Sequence, residues 1–282
     1  MTSKAEQLKN VLEKLYLKYN RCELIKPDPL QFVYNYSSRA DMETAGFIAA
    51  ALAYGRVAQI EKSVSRLLSM MGKSPSEFVR NFTAKDAKKL KDFKHRFNTG
   101  QDISDLLAVL KKAVNKSGTI EQFFLLGYSR DDETIVPGLS KFCRHLVDMH
   151  EKRTGKKASM GFKYLLSDPQ KGSASKRLNL FLRWMIRDDD VDSGLWKSIP
   201  ASKLIVPVDV HMARLCRILG MYDRKTVSLK TAIEITEGFA RIEKDDPVKY
   251  DFSLSRIGIV ENCTGKINGK CKQCQLYGYC SK

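Results

Sequence analysis

Residues 206–220 read VPVDVHMARLCRILG and place one carboxylate, Asp209, between an extended run and a helix. Pro207 fixes its own φ and keeps Val206 out of the helical region, so the chain arrives extended. Asp is among the best N-cap residues because its carboxylate accepts a free first-turn N–H. A helix therefore starts at Asp209, with Met212, Leu215, Cys216 and Leu219 on one buried stripe and Gly220 as its stop. A residue at a helix start is fixed in direction by its cap geometry, and the same geometry would aim it into a cleft. Asp209 is thus both a cap and a candidate catalytic acid.

Working outward, helical periodicity covers most of the chain. Leu8, Val11, Leu12, Leu15, Tyr16 and Tyr19 make an apolar stripe in a first helix that ends near Tyr19-Asn20. The same spacing predicts helices over about 42–71, 102–115, 119–127, 136–153, 174–187, 209–219 and 228–243, and no convincing run alternates as a strand does. The fold class is all-α. Asp102 and Thr119 read as N-caps, the latter with Gln122 at capping-box spacing. Residues 83–101, rich in lysine, read as an irregular surface region, and DPQKGSAS, 168–175, as a turn. In RDDDVDSGLWKSIPASK, 187–203, the acids Asp188, Asp189, Asp190 and Asp192 read as a solvated run that ends helices, and Trp184 and Trp196 as core.

The charge is one-sided. The chain has 49 Lys and Arg against 32 Asp and Glu, a net +17 that attracts polyanions, so nucleic acid leads the partner classes. No stretch has the apolar length of a membrane span and MTSKAEQLKNVLEKL has no apolar signal core, so a cytoplasmic protein that avoids membranes is expected. Cys22, Cys143 and Cys216 stand in helix-like contexts, where a thiol behaves as a small buried hydrophobe. The other four, Cys263, Cys271, Cys274 and Cys280, are separated by seven, two and five residues. Four soft thiolates around a Cys-x-x-Cys suit a tetrahedral zinc or an iron-sulfur cluster equally well on spacing alone.

The order and spacing of these cysteines resemble the C-terminal loop of the helix-hairpin-helix DNA glycosylases of the endonuclease III branch, with one residue more than usual between the first two. DFSLSRIGIVENC, 251–263, resembles the helix that leads into that loop, and VPVDVHM resembles the catalytic-acid segment of the 8-oxoguanine DNA glycosylase branch. The resemblance implies a [4Fe-4S] cluster on the four cysteines, with zinc as the alternative, and makes Asp209 the catalytic acid. It further implies a lysine nucleophile at the start of a helix, and Lys176 in GSASKRLNLFLRWM, 172–185, is the candidate. Two features depart from the family. Gly172-Ser-Ala-Ser replaces the usual glycine-rich hairpin, and the interval from Lys176 to Asp209 is much longer.

In such a fold Gly172, Ser173 and Ser175 would offer phosphate donors at a helix N-terminus. Tyr54, at the polar break Tyr54-Gly55-Arg56, would line the base pocket, while Arg56, Lys94 and Arg96 would contact DNA. The implied organisation is a central helical barrel, 26–195, and a second helical lobe from 1–25 plus 196–282 that carries the cluster loop, 263–280. The implied function is excision of a damaged or mispaired base from double-stranded DNA by a monomer at the bacterial nucleoid, with a lyase step through a lysine Schiff base. The alternative is a non-catalytic DNA- or RNA-binding iron-sulfur protein that keeps the scaffold.

Overall fold

The computed structural model describes residues 4–280. They form helices α1 (Lys4–Tyr19), α2 (Arg39–Ala51), α3 (Val57–Met71), α4 (Pro75–Asn81) and α5 (Ala84–Lys89), then strands β1 (Lys94–His95) and β2 (Asn98–Thr99). The chain continues through α6 (Gly100–Ser117), α7 (Ile120–Leu125), α8 (Val136–Thr154), α9 (Met160–Leu165), α10 (Lys176–Ile186), α11 (Val210–Ile218), α12 (Leu229–Ala240) and α13 (Asp251–Ile259). The class is all-α, relieved among the described residues by one two-stranded antiparallel hairpin. Among the described residues no helix is long and apolar enough to cross a membrane.

The centre of the molecule is α2. Its segment GFIAAA, 46–51, is buried on every side, and its small residues let neighbours come close. A Cβ added at Gly46 would meet Met185 of α10 and Val33 of the 3-10 segment Pro29–Asn35, both at 3.1 Å. Glu43, also on α2, is a buried carboxylate that accepts N–H bonds from Ile120 (2.9 Å) and Glu121 (2.8 Å) and from the Trp196 indole (2.8 Å). It caps α7 from another helix. Burial still pushes its carboxyl above the usual range, against those three donors.

Several expectations need correction. The helix expected over 42–71 is two helices, because Gly55 takes a left-handed φ of 99° and the chain turns between Leu52 and Arg56. Residues 83–101 are ordered: Thr83 caps α5 in a capping box, and the β-hairpin follows. Asp102 is not an N-cap but the third helical residue, whose carboxylate accepts from Thr99, the actual cap. Cys22 is exposed rather than buried. Trp184 and Trp196 are core, 0% and 1% exposed.

The largest correction concerns the aspartates. Asp192 is 1% exposed and pairs with two equally buried guanidiniums, Arg183 at 3.2 Å and Arg187 at 2.7 Å. Arg183 also binds Asp251 at the start of α13, while Arg187 binds Asp189 (2.8 Å) and Asp246 (2.9 Å). Asp189 in turn accepts from Tyr16 (2.9 Å) and Asn20 (3.1 Å), which fastens α1 to the segment. Only Asp188 and Asp190 are exposed. Asparagine and alanine at 192 would each strand buried positive charge. Asp192→Ala is expected to lower the unfolding free energy by about 3 kcal/mol, read by chemical denaturation, because it leaves two buried cations under-compensated.

Candidate active site

A cavity of about 590 Å³ opens where the Pro27–Pro29 connector, the α2–α3 turn, the start of α10, α11 and α13 meet. Asp209 and Lys176 both line it. The local reason for the acid's position is its cap. Asp209 is the N-cap of α11, and its Oδ1 accepts from the N–H groups of His211 and Met212, both at 2.8 Å. Its Oδ2 has no hydrogen-bond partner among the described residues, so one oxygen holds the helix and the other is free. Lys176 is the first residue of α10, and its Nζ donates to the Ala53 carbonyl at 3.4 Å, across the end of α2.

A second cavity, about 300 Å³, adjoins the first and shares Ala53, Tyr54, Lys176 and Val227 with it. Arg177 forms its back wall. This guanidinium, 8% exposed, donates to the carbonyls of Ala51 and Tyr164 and lies 4.9 Å and 4.3 Å from the ring centroids of Tyr54 and Tyr164. Burial pulls its pKa below the usual guanidinium value.

Tyr54 lines both cavities. Its hydroxyl has one proton to donate and two acceptors within reach, Asn98 Oδ1 (2.5 Å) and the His95 carbonyl (2.9 Å), and burial pushes the phenol up to about 12. The hairpin therefore sits against the turn that ends α2. At the hairpin tip Arg96 adopts a left-handed φ of 53°, and Phe97, 59% exposed, stacks on Tyr54 with centroids 5.6 Å apart and planes 12° apart. The Arg96 guanidinium lies 5.2 Å from the Phe97 ring. The interleaved FKHRF segment thus buries Phe93 and His95 and exposes Lys94, Arg96 and Phe97. Phe97 is a functional candidate that the sequence pattern does not single out, since the pattern cannot show the hairpin that turns its ring outward.

Arg256 and Asp28, also unforeseen, line the first cavity too. Arg256 Nη2 lies 3.3 Å from Asp28 Oδ2, with side chains 1% and 16% exposed, and the Nε of Arg256 has no partner among the described residues. Burial lowers the Arg256 pKa, with Asp28 opposing that fall.

The turn before Lys176 departs from a phosphate cradle. Ser175 is 4% exposed in a left-handed conformation, φ 45°, and its hydroxyl donates to the Ser167 carbonyl at 2.6 Å. Ser173 Oγ accepts from Ser175 N–H, and the Gly172 carbonyl accepts from Leu229. Of the three expected donors only Gly172 and Ser173 remain accessible. Arg56 is exposed as the residue before α3 but does not line either cavity.

α11 is locked to α13. A Cβ at Gly258 would stand 2.4 Å from His211 Nδ1, so only glycine lets the two helices approach this closely. Arg214 of α11 donates to the Cys263 carbonyl at 2.6 Å, which ties the acid's helix to the cysteine loop. Cys263, Cys271 and Cys274 line a separate cavity of about 800 Å³. Burial pushes the Cys280 thiol up, and the negative charge of Cys274, Cys263 and Cys271 pushes it further, so the four sulfurs share one neighbourhood. As they stand, no three His, Cys, Asp or Glu among the described residues close around a single ion. The donor set suits a sulfur-bound centre in chemistry, because four clustered thiols repel one another as thiolates until a cation compensates them.

Residues 28–260 match the model of a family described as a protein of unknown function, DUF2400. The chain is a DUF2400 protein. The match spans Asp28, Tyr54, Lys176, Asp209 and Arg256 and stops before Cys263. Neither curated proteins nor solved structures give a match to this DUF2400 chain.

The two duties of Asp209 can be separated by substitution. Asn caps a helix about as well as Asp, whereas alanine does not. Asp209→Ala is expected to lower stability by about 1 kcal/mol and Asp209→Asn by only a few tenths, measured by thermal unfolding. An Asn variant as unstable as the Ala variant would mean that the charge, not the cap, holds this end of α11.

Proposed function

We propose that this protein is a DNA glycosylase that excises a damaged or mispaired base from duplex DNA and forms a Schiff base through Lys176. The observation that carries the reading is one cavity lined by both Lys176 and Asp209, on the opening turns of two different helices. An enzyme that cleaves one base must take it out of the stack, and the cavity offers the volume for an extruded nucleotide. The net charge of +17 supplies the field that draws the duplex in, with Lys94 and Arg96 exposed on the hairpin beside the mouth.

The chemistry follows from the two groups. Lys176 Nζ attacks the sugar C1′, a C–N bond forms there, and the glycosidic bond breaks with its electron pair leaving on the base. The proton released from Nζ passes to Asp209 Oδ2, and the carboxylate also stabilises positive charge that builds on the sugar in the transition state. Opening of the sugar ring converts the new bond to an imine that permits β-elimination. Phe97, stacked on Tyr54 and exposed, would brace the bases next to the vacated position. Cys263, Cys271, Cys274 and Cys280 would hold a [4Fe-4S] cluster, with zinc as the alternative, and when bound that group cross-links the loop after α13 rather than entering the bond cleavage. Such a protein acts in the reducing cytoplasm, where free thiols persist.

Borohydride reduction on duplexes with single lesions is expected to leave a covalent protein–DNA complex that Lys176→Ala abolishes. Asp209→Asn should slow base release by about 10²–10⁴-fold, the range for loss of one general base. Trapping that survives Lys176→Ala would overturn the nucleophile, and tight binding with no release of any base would leave a nucleic-acid-binding protein. Anaerobically purified protein is expected to be brown, with iron and sulfide bound, and to lose both in Cys271→Ser. Colourless protein carrying stoichiometric zinc would overturn the cluster.

A further inference from the structure

Four charges line the cavity that Lys176 and Asp209 share, and the site chemistry above uses only two of them. The other two, Arg256 and Asp28, lie on α13 and on the connector before the 3-10 segment. Arg256 is 1% exposed yet is poorly supplied with acceptors among the described residues: of its five N–H donors, one pairs there with Asp28 at 3.3 Å, and the buried Nε has no partner there. Its guanidinium also lies 4.2 Å from the Phe252 ring centroid. A buried cation with donors to spare is costly unless something else accepts from it. Asp28 is likewise only half used. Its Oδ1 accepts from Leu30 N–H at 2.9 Å and its Oδ2 faces Arg256, whereas a carboxylate has about four acceptor sites. The lining also includes the apolar side chains of Val57, Ile60, Val208 and Ile259, surfaces fit for the faces of a flat ring.

We propose that Arg256 and Asp28 read the extruded base and that Arg256 stabilises the negative charge it carries as it departs, so that the enzyme selects bases with a carbonyl beside a ring N–H. This inference rests on the glycosylase reading and adds the substrate class to it. When the C1′–N bond breaks, its electron pair goes to the base, and in a lactam base that charge spreads onto the carbonyl oxygen. Arg256 donates to that oxygen more strongly as the charge develops, which is how a preorganised donor lowers a barrier. Asp28 accepts from the neighbouring ring N–H. The bases that fit are of the uracil, thymine, guanine and hypoxanthine type and their oxidised forms. Cytosine turns a ring-nitrogen lone pair toward Asp28, and adenine has no carbonyl to hold the charge. The cavity is then polarised, with Asp209 at the sugar, where positive charge builds, and Arg256 at the base, where negative charge builds.

The test compares two reactions of the same protein. Single-turnover release is measured from duplexes carrying one uracil, hypoxanthine, mispaired adenine or mispaired cytosine, and borohydride trapping is measured on a duplex with a preformed abasic site, which has no base to read. Wild type is expected to release the two lactam bases fastest. Arg256→Gln should slow release about 100-fold more than it slows trapping, the range for loss of one transition-state donor. Arg256→Lys should recover part of the rate, and Asp28→Asn should narrow the preference for lactam bases. Equal losses of release and trapping in Arg256→Gln, with no recovery in Arg256→Lys, would reduce the pair to a structural role and overturn the inference. So would wild-type protein that traps the abasic duplex but releases adenine or cytosine as fast as uracil, an outcome that leaves the glycosylase reading standing. Wild type that neither traps nor releases would overturn both.

Discussion

A guanidinium that is 2% exposed depends on its partners, and Arg183 has two: Asp192 on the segment after its own helix and Asp251 on the first turn of α13. Burial penalises the Arg183 charge, and the two carboxylates together outweigh that penalty. Asp251 bears the other side of the balance. Burial pushes it up to about 6 despite Arg183, with the charge of Asp209 among the causes. Such a cluster contributes little net stability compared with an apolar packing of the same volume, but it is severe on misplacement, since any shift leaves a buried charge alone. It therefore acts as a register device for the helices it joins.

Those helices carry the site. Arg183 stands two turns along α10 from Lys176, on the same face, since seven residues make close to two full turns. Asp251 opens α13, which packs on α11 through the close contact of Gly258 with His211, and α11 opens at Asp209. The lysine and the acid thus reach one cavity through a rigid path: α10 to the ion cluster, the cluster to α13, and α13 to α11. Arg256 and Asp28 hang from the same frame, because Arg256 lies on α13 little more than a turn after Asp251.

How much of this was legible in the sequence depends on the range of the interaction. The helices of α6, α8, α10 and α11 follow from apolar spacing, and Asp209 as an N-cap follows from its position after Val206-Pro207-Val208, all of them local physics. Tyr54 at a break was also legible, because a Gly within an apolar helix marks a turn. What escaped was decided by pairing at a distance. An Asp in a run of four looks solvated until the two arginines that bury it are known. Phe97 stands out only once a hairpin of two residues on each strand turns its ring outward. Asp28 and Arg256 lie 228 positions apart, and no local pattern joins them.

The turn before Lys176 shows how a departure from a familiar motif can preserve geometry while changing its means. A left-handed residue is needed there to bring the chain into α10, and glycine is the usual solution because it has no Cβ to clash. Here Ser175 occupies that conformation and its cost is met locally: the hydroxyl donates to Ser167, and its N–H donates to Ser173. The turn is thereby held by its own side chains. The same bonds that fix it occupy the Ser175 hydroxyl, so the turn keeps its shape with one fewer free donor.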